Sequence, residues 1–80
     1  MYFVYLIRSI SRPNKTYVGM TSDVESRLIT HNAGECPYTS RFCPWEIVTY
    51  VAVRTEDQAR RLEQYFKTGS GHAFAHKHLW

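Results

Sequence analysis

Apolar residues along the chain cluster in three strand-like runs and in stripes of helical period, with short polar breaks between them. Met1 to Ile10 is rich in Tyr, Phe, Val, Leu and Ile, which predicts a strand covered on both faces. Period two sets Phe3, Tyr5 and Ile7 on one face and Tyr2, Val4 and Leu6 on the other. Ser11-Arg12-Pro13-Asn14-Lys15 has turn chemistry, and Thr16 to Gly19 resumes as a short strand, so the two runs form an antiparallel hairpin with a long loop.

Ser22-x-x-Glu25 fits a capping box and predicts a helix from Asp23, with Val24, Leu28 and Ile29 as its apolar stripe and Asn32 and Gly34 as its stop. Residues 35–44 contain Pro37, Cys43-Pro44 and a polar centre at Thr39, Ser40 and Arg41, the composition of a loop. Trp45 to Val53 alternates Trp45, Ile47, Thr49, Val51 and Val53 against Glu46, Val48, Tyr50 and Ala52 and predicts the third strand. Thr55-Glu56-Asp57-Gln58 repeats the capping pattern ahead of Ala59, Leu62 and Phe66, a helical stripe ending near Gly69, with Glu63 at its edge. A short last helix from Ser70 is expected to turn Ala73, Phe74 and Leu79 inward. The pattern is β-β-α-β-α-α, an α+β arrangement of three antiparallel strands flanked by helices.

Composition narrows this picture. Eighty residues hold one core, so residues 1–80 are read as one domain, and 44% hydrophobic with 15% aromatic content favours a folded globule over disorder. The formal charge of +3 comes from cations spread through the whole chain, so any basic face has to be assembled by folding. The apolar first ten residues lack a basic leader and are broken by Arg8, unlike a signal peptide or membrane span, and a cytoplasmic protein without membrane association is expected. In that compartment Cys36 and Cys43 are read as free thiols, since Cys-x6-Cys lacks structural-zinc spacing.

Four groups carry candidate chemistry. Tyr5 and Tyr17 fall on adjacent strands, where their rings either meet in a site or simply pack. Arg27 and His31, four apart on one helix face, offer phosphate neutralisation beside an imidazole titrating near pH 6.5, or else a solvent-facing pair at a helix end. Glu63 suits a single hard-cation ligand or a salt bridge. His72, His76 and His78 form a His-x3-His-x-His cluster that is either a zinc site or basic helix surface.

The order Val4-Tyr5-Leu6, Tyr17-Val18-Gly19, Arg27, His31 and Glu63 resembles the GIY-YIG nuclease domain, in particular its compact single-domain members. Tyr17 to Asp23, Arg27-Leu28, His31-Asn32, Pro44-Trp45 and Lys67-Thr68-Gly69 extend the likeness over nearly the whole chain. The resemblance implies a three-stranded antiparallel sheet flanked by helices and Mg2+- or Mn2+-dependent hydrolysis of DNA phosphodiesters in repair or processing. It also implies roles: Tyr5 activates water, Tyr17 holds the water or metal, Arg27 stabilises phosphoryl charge, His31 assists proton transfer and Glu63 binds the cation. Lys15, Arg41 and Lys67 are the cations expected to meet DNA. The substrate would be weakly sequence-specific and structure-dependent (branched, damaged or single-stranded), with the protein a monomer or weak homodimer.

Two positions depart from the family pattern. Phe3-Val4 replaces its leading Gly-Ile, and Phe74-Ala75-His76 occupies the region where many members carry an asparagine, leaving His72 or His76 as substitutes. The second departure motivates the alternative of a catalytically weakened or inactive nucleic-acid-binding module. A tyrosine with pKa about 10 is roughly one part in a thousand ionised at pH 7, so the unaided chemistry favours His31 as base. A Tyr5 base needs either a pKa lowered by Arg27 and a metal-bound water or a proton leaving in concert with attack.

Overall fold

The computed structural model describes residues 1–80. Its elements are β1 (Tyr2–Ser9), β2 (Thr16–Thr21), α1 (Val24–Asn32), a single 3-10 turn (Thr39–Phe42), β3 (Trp45–Val53), α2 (Glu56–Phe66) and α3 (Gly69–His78). The α+β class and the β-β-α-β-α-α order are as expected. The sheet is antiparallel throughout, with β1 between β2 and β3. Central position explains why Val4, Tyr5, Leu6 and Ile7 are all buried: both faces of β1 are covered along its middle.

Each face has its own cluster. Val4 and Leu6 pack with Ala59, Phe66 and Ala75 under α2 and α3, while Tyr5 and Ile7 pack with Trp45, Val24 and Leu28 on the side of α1. Burying an aliphatic side chain contributes about 1.5–3 kcal/mol, so the four residues of β1 anchor both layers. Ser9 locks the hairpin loop to the loop before β3, its hydroxyl donating to the Phe42 carbonyl at 2.6 Å and accepting from Arg12 N–H at 2.9 Å.

Several local expectations are corrected. β2 continues past Gly19 to Thr21, and the N-cap of α1 is Asp23, whose carboxylate accepts from Ser26 N–H, in place of Ser22. Gly34, with φ of +77°, makes the left-handed exit, while Asn32 stays helical and grips the main chain of Trp45. Ile29 is exposed, leaving Val24 and Leu28 as the packed stripe. The alternation of β3 is broken where its pairing with β1 shifts between Leu6 and Ile7, which leaves Val48 as the extra residue. Trp45 and Ile47 therefore face α1, while Val53 faces α2 and α3. On α3 it is Gly71 and Ala75 that turn inward, and Phe74 is exposed. The capping box at Thr55 and Gln58 is formed as expected.

Gly71 lets α3 sit directly on the end of α2, because a Cβ there would overlap the Tyr65 carbonyl and the Phe66 Cα. Gly71→Ala should therefore destabilise by about 2–3 kcal/mol, a typical overpacking cost, whereas Gly69→Ala, with open space around it, should be neutral or slightly stabilising. Urea midpoints of the two variants measure the difference; equal midpoints would disprove this account of the α2–α3 junction.

Candidate active site

The site begins with strand register. β1 and β2 pair Tyr5 with Gly19 and Ile7 with Tyr17. The Tyr5 ring lies across the Gly19 position, where any Cβ would meet its hydroxyl and ring carbons, so the glycine of Tyr17-Val18-Gly19 is the clearance that lets the phenol reach α1. Arg27 and His31, one turn apart on α1, both meet it there. His31 Nε2 is 2.8 Å from the Tyr5 hydroxyl, and Arg27 Nε donates to the same oxygen at 3.3 Å. His31 is fully buried, so it is not a solvent-facing helix terminus.

The hydrogen-bond network assigns the protons. The only acceptor in reach of the Tyr5 O–H is His31 Nε2, so that nitrogen is unprotonated and Nδ1 carries the hydrogen. Nδ1–H donates to Thr39 Oγ1 at 2.7 Å, and the Thr39 hydroxyl donates onward to the Cys36 carbonyl at 3.4 Å. Trp45 Nε1 donates to the Thr39 carbonyl at 2.8 Å, fixing the 3-10 turn against the site. No buried side-chain polar atom is left without a partner.

Electrostatics keep the pair neutral. Burial pushes the Tyr5 phenol above its ordinary value, and this outweighs the Arg27 hydrogen bond and charge that pull it down. The expected influence of Arg27 is thus present but insufficient to leave a standing phenolate. Burial, reinforced by the Arg27 charge, lowers the His31 pKa. Arg27 is held more firmly protonated, first by its hydrogen bond to Tyr5. The result is a phenol aimed at a neutral imidazole, with a permanent cation on the shared oxygen.

The other expected residues divide. Tyr17 joins the cluster, its ring centroid 6.4 Å from Tyr5 and 5.2 Å from His31. Glu63 makes no hydrogen bond to any of these four; Lys67 Nζ lies 3.3 Å from its carboxylate. Lys67 in turn lines a groove with Tyr17, Tyr38 and His72, while Lys15 and Arg41 line a second groove on the other side of Tyr38. His72 and His76 are 4.5 Å apart between ring centroids, but no three His, Cys, Asp or Glu residues converge to hold a metal, which removes the support for a zinc cluster with His78. Cys36 and Cys43 are free thiols. Thr39 and Tyr38 were not foreseeable as site residues: both lie in a stretch with no periodicity, and their relevance arises only when the turn folds back over α1.

The donor set can be tested against a divalent ion. One carboxylate, completed by water and substrate phosphate, is how Mg2+ is commonly held, and Glu63 is a partly exposed carboxylate of that kind. The residues therefore fit an ion completed by substrate, and not a closed protein cage.

Comparison with known proteins decides the family. A model of the GIY-YIG catalytic domain matches residues 1–75. The chain belongs to the GIY-YIG family. Among its relatives, the UPF0213 protein SH2523 of Staphylococcus haemolyticus is 34% identical over 70 residues, covering 86% of this chain and 83% of that protein. The UPF0213 protein YazA of Bacillus subtilis is 33% identical over 67 residues, 82% of this chain and 66% of the relative. The structure-specific endonuclease subunit SLX1 of Malassezia globosa is 42% identical over 55 residues, which is 62% of this chain but 12% of that subunit. GIY-YIG is a nuclease family whose members are generally dependent on divalent metal. No helix here is long and apolar enough to cross a membrane.

Two pH effects of opposite sign follow. The folded His31 binds its proton more weakly than in the unfolded chain, so stability should be complete above about pH 6.5 and fall as pH drops from there through the lowered folded pKa. The folded Tyr5 keeps its proton more tightly, so stability should fall again as pH rises past about 10. Imidazole resonances of His31 followed by NMR should titrate below 6.5; titration at or above that value would contradict the buried neutral tautomer.

Proposed function

We propose that residues 1–80 form a divalent-metal-dependent DNA endonuclease in which a proton passes from the attacking water through Tyr5 to His31. The observation that carries this reading is the Tyr5 oxygen, which donates to His31 Nε2 at 2.8 Å while accepting from Arg27 at 3.3 Å. Water adds to phosphorus as its proton moves to the Tyr5 oxygen and the phenolic proton moves to Nε2. The opposite P–O bond breaks and the leaving oxygen is protonated by solvent. No free phenolate is required, which resolves the difficulty of a phenol raised by burial. Thr39 accepts from the Nδ1–H of the imidazolium that forms, and the Thr39 contact keeps the ring aimed.

Arg27 has its guanidinium at the reacting oxygen and supplies charge for the phosphoryl group. The Tyr17 ring lies beside the pair, and its hydroxyl is assigned to orienting the water. Glu63 would hold Mg2+ or Mn2+, which when bound supplies Lewis-acid neutralisation of phosphate and leaving-group charge. Lys15, Arg41 and Lys67 are assigned to the DNA backbone, because they line the two grooves that flank Tyr38. Similarity to the structure-specific endonuclease subunit SLX1 of Malassezia globosa supports a structure-dependent substrate.

Two observations favour a second reading. Glu63 is engaged by Lys67, and the region where family members carry an asparagine holds Phe74-Ala75-His76, as expected for a DNA-binding module that has lost turnover. Incubation of the protein with labelled duplex, flap, branched and single-stranded DNA in Mg2+ or Mn2+ separates the two. Under the nuclease reading at least one substrate is cut, and Glu63→Ala abolishes the product. DNA bound but never cut establishes the module instead.

The relay makes a sharper demand on kinetics. Tyr5→Phe and His31→Gln should each slow cleavage by about 10²–10⁴-fold, and the double variant should lose little more, because the two groups act as one unit. Wild-type cleavage by Tyr5→Phe would refute the relay.

A further inference from the structure

Tyr38 stands between the two grooves and is half exposed, at 50%. An exposed tyrosine alone is unremarkable on a protein surface, but this one is held on two sides. Its ring lies 5.9 Å from Tyr17 at 30° and 5.8 Å from Phe42 at 62°. Lys15 Nζ sits 5.4 Å over the Phe42 ring. Tyr5, Tyr17, Tyr38 and Phe42 therefore make a continuous aromatic run from the reacting hydroxyl to a cation. Tyr38 also immediately precedes the 3-10 turn, whose Thr39 holds His31, so platform and relay are adjacent in the chain as well as in space.

The grooves on either side, of about 350 and 490 Å3, are in the range of small-ligand sites. One carries Lys67 and His72, the other Lys15 and Arg41. A ring with cations to either side matches a polyanion whose bases are available for stacking. In a duplex the base faces are covered by their neighbours, and only backbone and groove edges remain for contact. A single strand offers both phosphate and base face.

We propose that Tyr38 is the substrate-selecting residue of this site: it stacks on an unpaired nucleotide next to the scissile phosphate, with Lys15 and Arg41 on the strand to one side and Lys67 on the other, so that the preferred DNA is single-stranded at that point. The inference rests on the nuclease reading for the position of the scissile phosphate, but the stacking itself is read by binding without cleavage.

The test is fluorescence anisotropy of a labelled oligo-dT strand and of a duplex of equal length, with EDTA present so that nothing is cut. Tyr38→Ala should weaken single-strand binding by about 5- to 150-fold, the factor expected for one base–aromatic stack, and change duplex binding less than twofold. Tyr38→Trp should retain single-strand affinity, and Tyr50→Ala, an exposed tyrosine packed on Phe3 of the sheet, should change neither. Lys15→Ala and Arg41→Ala should each flatten the salt dependence of single-strand binding by about 0.7 in the log–log slope. Equal losses on both DNAs with Tyr38→Ala, failure of tryptophan to substitute, or no single-strand binding by the wild type would each overturn the proposal. Tyr38-dependent single-strand binding by a protein that cuts no DNA would uphold the stacking while refuting the nuclease reading and, with it, the placement beside a scissile phosphate.

Discussion

A single phenolic oxygen sets the geometry of this molecule. Tyr5 is 2% exposed, yet its hydroxyl has to satisfy a donor and an acceptor inside the fold. A buried hydroxyl left unpaired costs about 1–3 kcal/mol, a large share of what a domain of this size has to spare. Each neighbouring feature answers that demand. β1 is central, so the ring is covered; Gly19 opposite it gives the ring room; and α1 runs over the sheet so that positions four apart both reach the oxygen. The 3-10 turn then supplies Thr39 to the far side of the imidazole.

That same burial decides which chemistry is open to the site. A phenolate favoured by Arg27 and disfavoured by desolvation is a contest, and desolvation prevails. Desolvation also keeps His31 neutral, and so provides the acceptor that the phenol lacks. The two shifts point in opposite directions from their ordinary values, but they favour one state: both groups uncharged, joined by one hydrogen bond. The Tyr5–His31 pair therefore holds no standing anion beside the Arg27 cation, and under the proposed relay the pair would develop charge only when a proton is withdrawn from water.

Much of this was legible in the residues and some was not, for physical reasons. The hairpin, the first strand with its two covered faces, and the Thr55 cap follow from local chemistry, and local chemistry is what a sequence exposes. Strand and helix periodicities paired Tyr5 with Tyr17 and Arg27 with His31, whereas joining the two pairs in one site rested on the resemblance to the GIY-YIG domain. The bulge at Val48 was not, because period two over Trp45 to Val53 looks unbroken and the face switch is imposed by pairing with β1. Ala73 and Phe74 looked inward by hydropathy, yet the inward positions are Gly71 and Ala75, because closeness to α2 rewards a missing side chain over a large one. Thr39 and Tyr38 depend on how a non-periodic loop returns over α1, a long-range fact with no local pattern.

Under the proposed reading, Glu63 is the residue whose surroundings bear most on how the site becomes complete. Its side chain is 20% exposed, while that of Lys67, 55% exposed, reaches its carboxylate from the next turn of α2. An i,i+4 pair of this kind contributes about 0.3–0.5 kcal/mol, far less than the interaction of a carboxylate with a divalent ion and a bound phosphate. Lys67 therefore offsets the charge of Glu63 in the free protein without committing it. Under the proposed nuclease reading, a strand entering the groove that Lys67 lines would offer the lysine phosphate oxygens and free the carboxylate for a cation. The weakness of the pair is what would make such a coupling workable, since a stronger bridge would hold the carboxylate against metal and an absent one would leave a largely buried side chain with an unpartnered charge.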